Sequence, residues 1–214
     1  MNTTAERFGL YLILTNPAAG YETCAEAAVN CGLRYLQLRI KETPDEQVLP
    51  VARRLREITR GSGTRFIVND SVALAAEADA DGVHLGQGDM GIEEARAFWN
   101  EEGRIYGLST HNPEQARRAA ALGPDYIGVG PVFATTSKAV PDPVLGLEDM
   151  GRIIKQSPVP AVALGGIFEA NLPEVLAGGA LNFAVVRAVN QADDPEVAIR
   201  RLMEIWQAHR DFPL

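Results

Sequence analysis

Eight short aliphatic runs, separated by segments with helical spacing, constrain this chain more than any other feature. They are "LYLILT" (10–15), "YLQLR" (35–39), "FIVN" (66–69), "GVHLG" (82–86), "IYGLS" (105–109), "YIGVG" (126–130), "AVALGG" (161–166) and "FAVVRA" (183–188). Between them stand amphipathic stretches such as "TPDEQVLPVARRLREITR", "NPEQARRAAALG" and "LEDMGRIIKQS". Strand and helix in strict alternation imply a parallel sheet covered by helices, and eight repeats imply closure into an α/β, (β/α)₈ TIM barrel. With 214 residues, the whole chain, 1–214, is expected to form one such domain.

Helix punctuation supports the division. In "HNPEQ", Asn112 is placed to cap, Pro113 suits the first helical position, Gln115 reaches back toward the cap, and Gly123 closes the helix. "TPDEQ" and "DDPEV" are expected to start helices in the same way. The longest irregular stretch is 131–146, "PVFATTSKAVPDPVLG", which is read as a functional loop that closes over its ligand.

The formal charge of −8 argues against nucleic acid as a partner, because phosphate-backbone binding needs clustered positive charge. Cys24 and Cys31 have neither metal-ligand spacing nor a disulfide framework, and read as buried thiols. The apolar run near the N-terminus is too short to span a membrane. A soluble cytoplasmic protein is expected, and a homo-oligomer is left open.

In such barrels chemistry gathers at the C-terminal strand ends. There the chain carries Gln37, Arg39 and Lys41; Asn69 and Asp70; Gln87 and Asp89; Ser109 and His111; Thr135, Thr136, Ser137 and Lys138; Gly165 and Gly166; and Arg187. Arg39, Lys41 and Lys138 suit phosphate, while Asp70 and Asp89, at equivalent ends of neighbouring strands, suit a divalent cation. Together they describe a site for Mg²⁺ and a diphosphate. Asp70 and Asp89 are each also placed to cap the following helix, so both roles stay open. "ALGGI" allows backbone to approach a second, phosphorylated ligand beside the turn after the eighth strand. His84 reads as a satisfied core histidine and His111 as a helix start, with no nucleophile triad. Trp99 and Trp206 read as helix packing.

Taken in order, "QLRIK", "VNDSVALAAEADADGVHLGQGD", "GLSTH", "DYIGVGPVFATTSK", "PVPAVALGGI" and "FAVVRAV" give the chain a resemblance to the thiamine-phosphate synthase family over nearly its whole length. The resemblance implies small phosphorylated substrates: 4-amino-5-hydroxymethyl-2-methylpyrimidine diphosphate joined to hydroxyethylthiazole phosphate, or its carboxylated form. Pyrophosphate is released and thiamine monophosphate formed. It further implies that Arg39, Lys41, Asn69 and Lys138 bind the diphosphate, Gln37 lies near the pyrimidine ring, and Ser109 lines the reaction centre. Asp70 and Asp89 would hold Mg²⁺. Thr135, Ser137, Gly166 and Val186, with backbone as far as Val189, would surround the thiazole phosphate. The chain departs from the family pattern at Ile40, where Glu is common, at Gly88, where an acid is common, and at Arg187, where many members have Ser. Rival readings are the thiazole tautomerase branch, which places a histidine at the position of Pro131, a phosphosugar isomerase or epimerase barrel, and a degenerate barrel kept for binding or regulation.

Overall fold

The structure is a computed structural model, described over residues 6–136 and 142–210. Eight strands form a closed barrel in chain order: β1 (Gly9–Leu14), β2 (Tyr35–Leu38), β3 (Arg65–Asn69), β4 (Gly82–Leu85), β5 (Ile105–Thr110), β6 (Tyr126–Val129), β7 (Ala161–Leu164) and β8 (Asn182–Val185). All neighbours pair in parallel, and the pairing of Gly9 with Asn182 closes β8 onto β1. Outside lie α1 (Tyr21–Asn30), α2 (Asp45–Thr59), α3 (Val72–Glu77), α4 (Ile92–Phe98), α5 (Pro113–Leu122), α6 (Gly146–Gln156), α7 (Leu172–Ala177), α8 (Arg187–Asn190) and α9 (Pro195–Arg210).

Side chains alternate across each strand, which divides the core into two layers. Leu10, Leu12, Leu14, Leu36, Leu38, Val83, Leu85 and Phe183 face outward into the layer shared with the helices. Facing the axis are Phe8, Tyr11, Tyr35, Ile67, Tyr126, Val162 and Ala184. Both faces of every strand are therefore buried, the reason the strands read as nearly continuous apolar runs. The axial layer is aromatic: the Tyr11 and Tyr35 rings each lie under 6 Å from Tyr126, at 5.6 and 5.7 Å. Room for Tyr126 comes from Gly107, where an added Cβ would stand 2.2 Å from the tyrosine Cζ. Large and small residues thus interdigitate inside the barrel, as close packing requires.

Two of the three expected helix starts follow the sequence. Asn112 Oδ1 accepts from Gln115 N at 2.9 Å, and Gly123 takes the left-handed conformation at the end of α5. Gln115 Oε1 accepts from His111 N at 2.7 Å, one residue before the cap itself. Asp194 Oδ1 accepts from Glu196 N and Val197 N, capping α9. The start of α2 differs from the expectation. Pro44 stands outside the helix with extended backbone, and the Thr43 hydroxyl donates to Lys41 O rather than accepting from the helix. Asp45 and Glu46 then occupy the first turn, where carboxylates complement the helix dipole.

Cys24 is buried and Cys31 half-buried, and both are free thiols. Burial pushes the Cys24 thiol up to about 11, which removes thiolate reactivity. Trp99 packs edge-on against Tyr106, and Trp206 donates Nε1–H to Leu181 O at 2.8 Å. Among the described residues no helix is long and apolar enough to cross a membrane.

Candidate active site

The C-terminal strand ends surround a cavity of about 430 Å³. Its wall includes Gln37, Arg39, Lys41, Asn69, Asp70, Asp89, Ser109, Thr135, Gly166, Val186 and Arg187. Eleven expected site residues, from seven strand ends, thus meet at one cavity. Ser137 and Lys138 lie outside the described residues.

The two carboxylates reach the cavity by different local devices. Asp70, directly after β3, adopts φ +66, a left-handed conformation that short polar residues tolerate better than most. Its N–H donates to His84 O at 2.8 Å, tying it to the end of β4. Helix α3 is capped instead by Ser71, whose Oγ accepts from Leu74 N at 3.1 Å. Asp89 does not cap α4 either, since the cap residue there is Gly91. Asp89 folds back so that Oδ2 accepts from Gly86 N at 2.7 Å. An added Cβ at Gly86 would stand 2.9 Å from that oxygen, so the glycine is what lets the carboxylate return. The capping alternative is thereby closed for both aspartates.

Burial pushes the Asp70 carboxyl above its ordinary range; Lys41, donating to Asp70 Oδ2, opposes the rise, and the facing Asp89 carboxyl adds to it. Two carboxylates and the Lys41 ammonium therefore share one corner of the cavity. Arg39 lies deeper, and burial lowers its pKa while Asp70 raises it. Arg187, the first residue of α8, holds its guanidinium 5.2 Å from the Phe168 ring centre on the opposite wall. The cavity thus separates a mixed-charge side from a cationic side within an acidic chain.

The glycine pair after β7 has a role beyond the expected approach of a ligand. Gly165 and Gly166 take φ +100 and +65, and added Cβ atoms would stand 2.5 Å from Pro131 Cα and 2.7 Å from Ala134 O. It is the chain after β6 that needs the space, and Val132 N and Phe133 N donate to Leu164 O and Gly165 O. The glycines shape the cavity by seating this loop.

Beneath the cavity lies a polar floor that strand reading recognised only in part. Gln37 is 2% exposed and donates Nε2–H to Tyr11 Oη at 2.9 Å. His84, expected to be satisfied in the core, stands 3.1 Å from Tyr126 Oη through Nδ1 and 2.9 Å from Ser109 Oγ through Nε2. Burial lowers its pKa to about 4. Period-two alternation in "GVHL" turns His84 inward, opposite Val83 and Leu85, a signal available before the structure. His111, read as a helix start, also lines the cavity; Nδ1 lies 2.7 Å from Gly130 O and Nε2 3.6 Å from Asp142 Oδ2. No local pattern announces that contact, because the three residues come from different loops.

Known proteins show the same arrangement of sequence and fold. Residues 10–189 match the family model described as thiamine monophosphate synthase. A thiamine-phosphate synthase from Pelotomaculum thermopropionicum is 45% identical over 184 residues, covering 86% of this chain and 84% of that protein. A thiamine-phosphate synthase from Synechocystis sp. is 43% identical over 198 residues, 92% of this chain, yet this chain spans only 57% of its length. Thiamine phosphate pyrophosphorylase from Pyrococcus furiosus superposes with a TM-score of 0.84 at 35% identity, covering 95% of this chain and 97% of that one. A barrel closed in chain order, polar strand ends gathered at one cavity, and a match across 10–189 agree: the chain belongs to the thiamine monophosphate synthase family.

Proposed function

We propose that this protein joins 4-amino-5-hydroxymethyl-2-methylpyrimidine diphosphate to hydroxyethylthiazole phosphate, or its carboxylated form, giving thiamine monophosphate and pyrophosphate, with carbon dioxide as a further product where the carboxylated form is used. The observation that carries the proposal is the meeting, in one cavity, of Arg39 and Lys41 with Asp70 and Asp89. Cations alone suit an anion, and carboxylates alone suit a metal. The two together suit a metal-bound diphosphate.

The donor set fits Mg²⁺, which typically takes one or two carboxylates and leaves its other positions to water and phosphate oxygens. The buried Asp70 carboxyl beside Asp89 is a pair whose ionisation a divalent cation would favour. Asp70 and Asp89 would hold the ion, and it would supply positive charge to the departing diphosphate.

The protein's own side chains then have defined tasks. Arg39 and Lys41, with Asn69 and with Lys138 from the sequence, hold the diphosphate oxygens. The bond between the pyrimidine methylene carbon and the diphosphate oxygen breaks, and its electron pair leaves with the diphosphate. Positive charge left on the methylene spreads into the electron-rich aminopyrimidine. The thiazole nitrogen lone pair closes the new C–N bond; with hydroxyethylthiazole phosphate no proton need move, whereas the carboxylated form also loses carbon dioxide, leaving the bond's electron pair on the ring carbon, which then takes up a proton. Catalysis by the protein is electrostatic stabilisation and alignment of two substrates, without a side-chain nucleophile. Thr135, Ser137, Gly166 and Val186 would take the thiazole phosphate, with Arg187 supplying a cation in place of a hydroxyl.

The tautomerase alternative needs a proton carrier where Pro131 stands, and proline has none to give. A direct test incubates the purified protein with both substrates and Mg²⁺. Thiamine monophosphate should form and a chelator should abolish it; folded protein that yields no product under these conditions would leave the degenerate-barrel reading.

A further inference from the structure

The barrel interior carries an unbroken chain of polar groups that joins two sides of the cavity floor. It runs from Gln37 Nε2 to Tyr11 Oη (2.9 Å), to Tyr126 Oη (2.8 Å), to His84 Nδ1 (3.1 Å), and from His84 Nε2 to Ser109 Oγ (2.9 Å). The three inner members come from β1, β6 and β4, and none of them is a surface group. Gly107 keeps the passage open: an added Cβ there would meet His84 Nδ1 at 2.5 Å.

Donor and acceptor accounting gives this chain a direction. Gln37 Nε2 is a donor, so Tyr11 Oη accepts from it. The Tyr11 hydroxyl proton then has Tyr126 Oη as its acceptor, and the Tyr126 proton has His84 Nδ1. Reversing the middle link would leave the Tyr11 proton buried with no acceptor, which costs more than the bond it replaces. His84, enclosed by the barrel and stacked 5.5 Å from the Tyr126 ring, is a neutral imidazole with one N–H. With Nδ1 accepting, that N–H is on Nε2 and points at Ser109 Oγ.

We propose that Tyr11, Tyr126 and His84 are positioning residues that fix the polarity of the cavity floor, holding Gln37 Oε1 as an acceptor and the Ser109 hydroxyl as a donor toward the substrate. The pattern is complementary to the amidine edge of an aminopyrimidine, which offers an amino N–H and a ring nitrogen lone pair. This deepens the proposed function and rests on it for the ligand. It also overturns the obvious reading of a serine beside a histidine. Since His84 donates to Ser109, it cannot remove the serine proton, and the pair is no nucleophile and base.

The direction of the chain is readable without any substrate, by ¹⁵N NMR of the imidazole rings in the ligand-free protein near neutral pH. Comparison with His111→Gln and His209→Gln assigns the His84 signals. The proposal expects Nε2 protonated and Nδ1 an acceptor; a protonated Nδ1 overturns it, whatever the enzyme's activity. In folded Tyr126→Phe the tautomer preference should weaken. In the coupling assay its kcat should then fall about tenfold, the scale of one lost hydrogen bond, with KM for the thiazole phosphate unchanged. An unchanged tautomer and unchanged kcat in that variant would reduce Tyr126 to packing and overturn the positioning role. A wild-type protein with the expected tautomer but no coupling activity would sink the proposed function while leaving the polarity of the floor intact.

Discussion

Asp70 and Asp89 show how single residues acquire a role that their neighbours could have claimed. Each precedes a helix and is a good cap by type, so composition and order do not separate capping from metal holding. The backbone removes the capping role: φ +66 at Asp70 passes the cap to Ser71, and the turn through Gly86 brings Asp89 back to the strand end. Replacing Asp89 with Ala should leave the fold intact and lower kcat/KM between about 100- and 1000-fold, the usual cost of deleting a group aimed at transition-state charge. Titrating Mg²⁺ against rate should show the loss together with a weakened metal dependence. His84 makes a different prediction. Its ordinary pKa of 6.5 falls to about 4 in the fold, so the unfolded chain takes up the proton first as pH drops. Its contribution to stability is full above the ordinary value and is lost between the two, amounting to about 3 kcal/mol. Asp70, raised by burial, works with the opposite sign, and stability gains as it protonates. Denaturant unfolding of wild type and His84→Gln, near pH 7 and about pH 4.5, isolates the histidine: the gap between them should narrow in acid.

At the scale of elements, all eight strands were legible because strands buried on both faces leave unbroken aliphatic runs, and α5 and α9 because Asn112 and Asp194 cap them. What escaped was what crosses between elements. "GG" in the sequence suggests room for a ligand, whereas Gly165 and Gly166 make room for Pro131 and Ala134, a contact between two loops. His111, Gly130 and Asp142 meet only after the barrel closes. Glycine position therefore has different consequences in different layers. Gly86→Ala should leave the thermal midpoint almost unchanged, because a flexible Asp89 side chain gives way, yet lower activity about tenfold by re-aiming that carboxylate. Gly107→Ala should instead destabilise by about 1–3 kcal/mol or more, because the rigid Tyr126 ring stands 2.2 Å from the new Cβ. Thermal melts and rates on the two variants check the contrast.

For the whole molecule, the informative property is where charge sits rather than how much there is. A chain of net charge −8 gathers Arg39, Lys41 and Arg187 around one cavity with Asp70 and Asp89 among them. Elsewhere Arg56, Arg60, Arg65 and Arg104 pair with Asp79 and Asp81 around the opposite strand ends, and Asp81 also accepts from Phe66 N at 2.8 Å. Ion pairs at one end of the barrel thus brace strands, and at the other end they are arranged around open space. The acidic total argues against a nucleic-acid groove from the sequence alone, but only closure of the barrel brings the cationic strand ends together. The measurement that tests the coupling reaction most directly is a time course of both products from the two substrates and Mg²⁺. The account predicts thiamine monophosphate and pyrophosphate rising in equal amounts, both lost on chelation. Pyrophosphate appearing without thiamine monophosphate would mean that the cavity cleaves the diphosphate but does not join the two rings, and would contradict it.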